Sequence, residues 1–214
     1  QLKDDIANHL DDEASIAKSL ELVEKTSGFN LVYFGVEENG RMLRSNGNHV
    51  FPESGYDPRK RSWFYDTKAQ NKPIILNNAW LQASKKLPVF GFGAPLHHKG
   101  NFYGVVSGDI ALKPLNNYLE SLQKGEHYTI FATDPSGKII LSQNADEILN
   151  QSEISKLLVE KSKNHQNEFI FFDQDKHQRF GICSLNSLTA WNVCLVGDEA
   201  TLSQSIRENT TFLA

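Results

Sequence analysis

Apolar residues recur at spacings of three and four over the first 27 residues, and polar residues fill the positions between them. The apolar set is Leu2, Ile6, Ala7, Leu10, Ala14, Ala17, Leu20 and Val23. This period predicts one long amphipathic helix over 2–27, ended by Gly28. Its apolar face is incomplete, so the pattern leaves two alternatives open: the helix packs on a partner helix, or it packs on its own domain.

The rest of the chain alternates short apolar runs with turn residues, which predicts two series of strands. The first series comprises strands at 31–36, 42–43, 73–76, 87–96 and 102–110, with helices at 63–70 and 112–122. The second comprises strands at 128–133, 138–142, 169–172, 179–184 and 191–196, with helices at 154–161 and 199–212. A loop rich in Gly, Pro and charge spans 46–62, and loops of this length are usually functional or disordered.

The two series resemble each other in sequence. Residues 31–45 align without a gap on residues 128–142, with Gly40 opposite Gly137 and matched charge signs around the turn. Asp109 and Asp198 correspond more loosely, each at the end of an apolar strand before a helix. The pattern favours an internal duplication over a chance match. It predicts an α+β fold with two tandem modules, each an antiparallel sheet of about five strands with flanking helices.

Composition and net charge argue against some classes of binding partner. Hydrophobic residues make up 39% and charged residues 22%, as in ordinary globular proteins. The net charge of -4 argues against nucleic acid and against electrostatic attachment to a membrane. No apolar run is long enough to cross a bilayer. Because the chain starts at Gln1 inside a helical pattern, we expect it to be a piece of a longer protein.

The two cysteines, Cys183 and Cys194, fall on strands predicted to face each other in one hairpin. A cross-strand disulfide would form in an oxidising compartment. Two buried free thiols are the alternative, and the sequence does not decide between them.

The richest cluster of chemically useful side chains lies where the 46–62 loop enters its helix. Arg61 offers a planar fork for a carboxylate, Trp63 an N–H donor and an apolar wall, and Tyr56 an aromatic face for a cation. Asp109 could face the other end of a small zwitterion. The alternatives are a solvated aromatic surface for the loop, and an N-cap role for Asp109 and for Asp198.

Other candidates are weak. Gly91-Phe92-Gly93 lies within a strand and lacks the helix that a phosphate loop needs. His97-His98 lies on a predicted turn with no obvious third ligand. The sequence contains no nucleophile elbow, no metalloprotease helix and no Cys–His pairing. We therefore expect no enzyme, no cofactor and no metal; a soluble enzyme with Asp109 and Arg61 as acid–base partners is a remote alternative.

At the loop, the sequence resembles the double Cache family of extracytoplasmic sensor domains of bacterial chemotaxis receptors. The family pattern of Tyr, four residues, Arg, Pro, Trp and Tyr is matched in order and spacing by Tyr56, Arg61, Ser62, Trp63 and Phe64. The strand at 104–110, which ends in Asp109, is also typical. The resemblance spans essentially the whole chain and implies PAS-like modules.

The resemblance implies an organisation and a setting. Residues 1–28 would form a signalling and dimerisation helix, 29–124 a membrane-distal module that binds a small molecule, 125–198 a membrane-proximal module, and 199–214 a helix leading to a membrane span. The full-length protein would be membrane-inserted and a homodimer, with this part in the periplasm. The output would be chemotaxis; a histidine kinase or a diguanylate cyclase is the alternative.

The resemblance also implies residue roles. In members that bind amino acids, the Arg and Trp hold the carboxylate, and Tyr, further aromatics and two Asp hold the ammonium. By position, Tyr56, Arg61, Trp63 and Asp109 carry these roles over. Three positions depart from the pattern: Phe64, Trp80 and Gln82 stand where the family has Tyr, Tyr and Asp. An α-amino acid is the first expectation, and a small carboxylate or an amine of different shape is the alternative.

Overall fold

A computed structural model describes residues 1–123, 128–164, 166–173 and 175–200. Its helices are α1 (Leu2–Ala7), α2 (Glu13–Ser27), α3 (Ser62–Gln70), α4 (Lys113–Gln123) and α5 (Glu153–Lys163). No helix among the described residues is long and apolar enough to cross a membrane. The predicted helix at 199–212 lies outside the described residues from 201 onward.

The N-terminal helix is not continuous, which corrects the prediction of one helix over 2–27. Residues 8–12 separate α1 from α2, and the Asp12 side chain accepts the backbone N–H of Ser15 at 3.1 Å. Asn and Asp side chains compete with the backbone for hydrogen bonds, so they favour caps over helix interiors. The periodicity continued through this segment because Leu10 kept the spacing, although the polar residues around it end one helix and begin another. Gly28 ends α2 in a left-handed conformation, as predicted.

The first sheet is antiparallel and has the strand order β2-β1-β5-β4-β3. Its strands are β1 (Leu31–Val36), β2 (Met42–Arg44), β3 (Ile74–Leu81), β4 (Pro88–His98) and β5 (Asn101–Ala111). One face of this sheet packs on α1 and α2. The core there consists of Ile6, Ile16, Leu20, Val32, Phe34, Leu43, Leu96 and Val106. The N-terminal helices therefore bury this face within their own unit. Of the two alternatives that the sequence left open, packing on the helices' own domain is the one that the structure shows for this face.

The 46–62 loop is built from short turns. Two 3-10 turns, Pro52–Ser54 and Pro58–Lys60, lie within it. Asp57 accepts the side chain of Arg59 at 2.9 Å, and this hydrogen bond holds the pKa of Asp57 below its usual range. Arg59 also donates to the backbone oxygen of Glu37 at 3.2 Å. The loop is thus fastened to the β1–β2 hairpin just before it enters α3.

The second sheet repeats the strand order of the first, as β7-β6-β10-β9-β8. Its strands are β6 (Tyr128–Thr133), β7 (Ile139–Leu141), β8 (Glu168–Phe172), β9 (Gln178–Leu185) and β10 (Asn192–Asp198). Gly40 and Gly137, which the sequence alignment matched, both have left-handed backbones in the opening hairpins. The predicted α+β fold of two PAS-like modules is confirmed, and the equal strand orders agree with an internal duplication.

The opening hairpins of the two sheets differ in length by one residue. In the first sheet Gly35 lies opposite Met42, whereas in the second Thr133 lies opposite Ile139. The ungapped sequence alignment had matched Gly35 with Ala132. The turn of the second hairpin is one residue shorter, so the alignment is displaced by one position along β6.

This displacement changes which residues correspond in the two sheets, because a shift of one residue exchanges the two faces of a strand. The structural counterpart of Tyr33 is Phe131 rather than Ile130. The helices agree with this assignment: α3 covers the face that carries Tyr33, and Leu158 of α5 packs in the same cluster as Phe131.

A disulfide joins the central strands of the second sheet. Cys183 on β9 and Cys194 on β10 lie directly opposite each other, with their Cα atoms 4.1 Å apart, and are bonded. Both residues are buried. Of the two alternatives that the sequence left open, the structure contains the disulfide. Disulfides persist in oxidising compartments, so this bond favours an extracytoplasmic location.

The chain divides into two compact units. The first unit contains residues 1–76 and 89–111, and the second contains residues 77–88 and 112–214. Each unit is described by itself below. The predicted boundaries at 28, 124 and 198, and the membrane-distal and membrane-proximal assignments, stay predictions.

Candidate functional site

Polar side chains line the face of the first sheet that α3 covers. In the register of β1 and β5, Leu31 lies opposite Asp109 and Tyr33 lies opposite Ser107. Because side chains alternate along a strand, Tyr33, Ser107 and Asp109 project from the same face. The opposite face is the apolar core against α1 and α2. The strand pattern thus separates a polar face from the core within one sheet.

Asp109 is the buried anion of this face. Its side chain is 2% exposed, and the hydroxyl of Tyr33 donates to its Oδ1 at 2.7 Å. Burial, together with the negative charge of Asp109, raises the pKa of Tyr33 well above its ordinary value. The phenol therefore stays protonated at neutral pH and continues to donate.

The N-cap alternative does not hold for Asp109, because α4 begins four residues later and the carboxylate is engaged with Tyr33. The N-cap alternative suits Asp198, whose side chain accepts the backbone N–H of Ala200 at 3.0 Å. The sequence had matched these two residues, and the register corrects that match. In the second sheet Val196 lies opposite Thr129, just as Asp109 lies opposite Leu31 in the first. Val196 is therefore the counterpart of Asp109, and Asp198 lies two residues further along the chain.

Glycines on the sheet let α3 approach closely. A Cβ at Gly93 would lie 2.1 Å from Oγ1 of Thr67, and a Cβ at Gly35 would lie 2.7 Å from the ring of Trp63. With these glycines, the edge of the Trp63 ring meets the Tyr33 ring at 4.8 Å between centroids. Close helix packing therefore places the tryptophan beside the phenol that contacts Asp109.

The loop residues extend this arrangement to Arg61. Trp63 donates its Nε1–H to the hydroxyl oxygen of Tyr56 at 3.4 Å, and the Arg61 guanidinium carbon lies 5.0 Å from the centre of the Tyr56 ring. Three aromatic side chains thus connect Arg61 to Asp109. Arg61 is exposed, while Trp63 and Asp109 are buried. A cavity of about 240 Å³ lies at the Arg61 end, lined by Pro52, Gly55, Tyr56, Asp57, Lys60 and Arg61.

Phe64 lies behind this arrangement. Its side chain is 1% exposed and packs edge-on against Trp63 and Phe102, next to Gly35. The ring supports Trp63 within the core. A direct contact between Phe64 and a ligand stays a prediction.

Trp80 and Gln82 belong to the stretch 77–88, which groups with the second compact unit. Trp80 lies half-buried on β3. Gln82 is 3% exposed, and its backbone N–H and oxygen bond to Leu87 and Lys86 in the turn that follows. Their part in ligand binding stays a prediction.

Sequence reasoning missed two residues of the polar face, Tyr33 and Arg44. Tyr33 touches Asp109, and Arg44 lies directly opposite Tyr33 on β2. Both positions carried a signal in the repeat: the second copy has an apolar residue in place of Tyr33, Ile130 by the ungapped alignment and Phe131 by strand register, and its strand β7 carries no charge like that of Arg44. A polar residue in only one of two copies indicates a role beyond folding.

The corresponding face of the second sheet is apolar at its centre. The counterparts of Tyr33 and Ser107 are Phe131 and Cys194, and Val196 takes the position of Asp109. Phe131, Leu158, Cys183 and Cys194 form a hydrophobic cluster there. The two units therefore share a fold, and within the described parts of the chain only the first combines a buried carboxylate, a phenol and a tryptophan at this face.

Comparisons with known proteins agree with the fold. No family model matches the chain. Methyl-accepting chemotaxis protein McpA of Pseudomonas putida is 29% identical over 137 residues, which cover 63% of this chain and 20% of that protein. Methyl-accepting chemotaxis protein McpB of Bacillus subtilis is 25% identical over 179 residues, covering 83% of this chain and 25% of that protein. The chain thus spans about a quarter or less of the length of these curated relatives.

Two solved structures show the same architecture. The ligand-binding domain of Mlp24 with asparagine superposes with a TM-score of 0.76 at 21% identity, covering 94% of this chain and 81% of that chain. The ligand-binding domain of the Pseudomonas aeruginosa amino acid chemoreceptor PctC, in complex with GABA, gives a TM-score of 0.68 at 26% identity, covering 92% and 86%. Together with the loop motif and the paired sheets, these comparisons show that the chain has the fold of double Cache-type chemoreceptor ligand-binding domains and is similar in sequence to bacterial methyl-accepting chemotaxis proteins.

Proposed function

We propose that this domain binds a small amino-acid-like molecule in its first unit and reports it to a chemotaxis signalling module. One observation carries the proposal: an unbroken series of side-chain contacts joins the guanidinium of Arg61 to the buried carboxylate of Asp109 through Tyr56, Trp63 and Tyr33. A cation and an anion separated by aromatic walls suit a zwitterion. The asparagine and GABA bound by Mlp24 and PctC support this ligand class.

Each group of the site has a defined chemical task in this proposal. Arg61 and the indole N–H of Trp63 receive the ligand carboxylate, because a guanidinium fork matches the two carboxylate oxygens. Asp109 receives the ammonium, and the rings of Tyr33 and Tyr56 contribute cation–π attraction of about 0.5–2 kcal/mol. A small carboxylate or an amine of different shape is the alternative ligand.

Arg61 and Asp109 differ in exposure, and this divides their expected energetic roles. Water screens the exposed Arg61, so its charge contributes modestly to affinity and mainly orients the carboxylate. Asp109 lies in a low-dielectric environment where charge interactions are stronger. The ammonium end should therefore contribute more to affinity than the carboxylate end.

We further propose that the first unit is membrane-distal, that the second is membrane-proximal, and that the domain lies in the periplasm as part of a membrane-inserted homodimer. The disulfide and the membrane-chemoreceptor relatives support this setting. The corresponding face of the second sheet is apolar at its centre, which suits a unit that transmits a signal rather than one that binds a ligand. A ligand shifts the signalling equilibrium only through its different affinities for the two signalling states. The similarity to chemotaxis receptors favours that output over a kinase, a cyclase or an enzyme.

Replacing Arg61 with Gln should weaken binding of the best amino acid in a metabolite panel by about tenfold. The charge and the bidentate fork are lost, while the exposed position keeps the fold intact. Isothermal titration calorimetry measures the affinity, and Lys72→Gln is the control, since Lys72 is an exposed cation just after α3. Unchanged affinity in Arg61→Gln would remove Arg61 from the site, and the absence of binding by any amino acid, carboxylate or amine would contradict the proposed function.

A further inference from the structure

We propose that Arg44 is a second anion-recognising residue of this site, and that it selects ligands carrying a second acidic group, such as an amino dicarboxylic acid. The inference rests on the proposed function of the first unit and names its ligand class more closely. Arg44 is not part of the loop motif that carries the family resemblance.

Arg44 lies on the face that carries Asp109. It is directly opposite Tyr33 in the register of β1 and β2, so both side chains project from the same side of the sheet. Its guanidinium carbon lies 5.6 Å from the centre of the Tyr56 ring, the ring that Arg61 contacts at 5.0 Å. Two guanidinium groups therefore share one phenol ring at the edge of the proposed pocket.

The environment of Arg44 differs from that of three other described arginines, and from that of Arg61, which is exposed. Arg41, Arg59 and Arg179 each form an ion pair with a carboxylate, from Glu13, Asp57 and Asp173 respectively. Among the described residues, Arg44 forms no ion pair with a carboxylate and its Nε has no hydrogen-bond partner, although the residue is only 8% exposed.

A buried charge is costly unless it is paired, because the protein interior replaces little of its hydration. The phenol ring of Tyr56 offsets part of this cost through cation–π attraction. A ligand anion would supply the missing counter-charge and would accept the free Nε–H. The folded protein thus holds a desolvated cation ready for an anion that it does not itself provide.

The fold does not require a cation at this position. The second unit has the same strand order, and its edge strand β7, Ile139–Leu141, contains no charged residue. An uncharged edge strand therefore serves in the equivalent position of the second sheet. The arginine is better explained by what binds to the first unit than by the packing of β2.

Three charged groups of the site predict the charges that the ligand carries. Arg61 and Arg44 suit two carboxylates, and Asp109 suits one ammonium. A neutral amino acid would leave the Arg44 guanidinium buried without a counter-charge. L-Aspartate and L-glutamate carry the matching set of charges on a small frame.

The first test uses the unmodified 214-residue chain and ligand pairs that differ in one charged group. We expect L-glutamate to bind at least about tenfold more tightly than L-glutamine, and L-aspartate more tightly than L-asparagine, by calorimetry, because a charge-assisted pair is stronger than a neutral hydrogen bond. Amides that bind as tightly as the acids would overturn the Arg44 inference and leave the proposed function standing. If none of the four binds, and no other amino acid, carboxylate or amine does, both fail.

The second test assigns the preference to Arg44. In Arg44→Gln the acid-over-amide preference should fall to less than about threefold, because the neutral side chain treats both ligands alike. Arg41→Gln is the matched control: it removes the same charge next to the same strand, and Arg41 contacts Phe51 and Glu13 instead of Tyr56. A preference that survives in Arg44→Gln, or that Arg41→Gln also removes, would overturn the assignment. If Arg44→Gln does not fold, Arg44→Lys keeps the charge without the fork and should retain part of the preference.

Discussion

Replacing Asp109 with Asn should weaken the binding of an amino acid by about 100-fold or more, since it removes the counter-charge of a desolvated ammonium. The change is nearly isosteric, and the amide oxygen of Asn can still accept the Tyr33 hydroxyl that now donates to Asp109. The fold should therefore persist, as a thermal melt monitored by circular dichroism would show. Calorimetry on the same sample measures the affinity.

Two controls separate the charge of Asp109 from its hydrogen bond. Tyr33→Phe removes the hydroxyl but keeps the ring, so it should cost less affinity than Asp109→Asn. A hydroxy acid of the same shape lacks the ammonium, and its weaker binding should change little in Asp109→Asn. Equal losses for the amino acid and the hydroxy acid would show that Asp109 maintains the structure and does not recognise the ammonium.

Replacing both Cys183 and Cys194 with Ala should lower the free energy of unfolding of the second unit by about 3 kcal/mol, the value that loop-closure entropy gives for a loop of this size. The two residues are 11 apart in sequence and join strands that are already neighbours. Urea denaturation followed by far-ultraviolet circular dichroism measures the loss. Adding a reductant to the wild-type chain should lower its midpoint and leave that of the double variant unchanged.

Ligand affinity at temperatures where the variant is folded should be nearly unaffected, because the proposed site lies in the first unit. A wild-type midpoint that is insensitive to reductant would contradict the stabilising role of the disulfide. A large loss of affinity in a fully folded double variant would instead indicate that the second unit contributes to binding.

The two units carry different side chains on equivalent faces of the same fold. On the face covered by α3, Tyr33 and Asp109 make a polar surface, whereas on the face covered by α5, Phe131 packs with Leu158 and the disulfide. The strand order is the same in both sheets, although the opening hairpin of the second is one residue shorter. One topology thus carries a polar surface in the first unit and an apolar, cross-linked surface in the second.

Sequence patterns were sufficient to predict the strands, the fold class and most of the candidate site. Short apolar runs between turn residues predicted the strands, and apolar spacings of three and four predicted helices, because burial of one face imposes such patterns on the chain. The spacing of Tyr56, Arg61 and Trp63 predicted a candidate binding loop, and these residues are neighbours in sequence, so their placement is local. Their roles toward a ligand are still predictions that the proposed experiments address.

The contacts between residues far apart in sequence were visible only in the folded protein. The interruption of the first helix depends on the Asp12 cap, and the pairing of Tyr33 with Asp109 and Arg44 depends on strand register. Register is fixed by turn length and by packing against helices, and one residue in the β6–β7 turn was enough to displace the sequence alignment. Periodicity reports which face of a strand is buried, whereas the neighbours across that face are set by contacts between segments far apart in the chain.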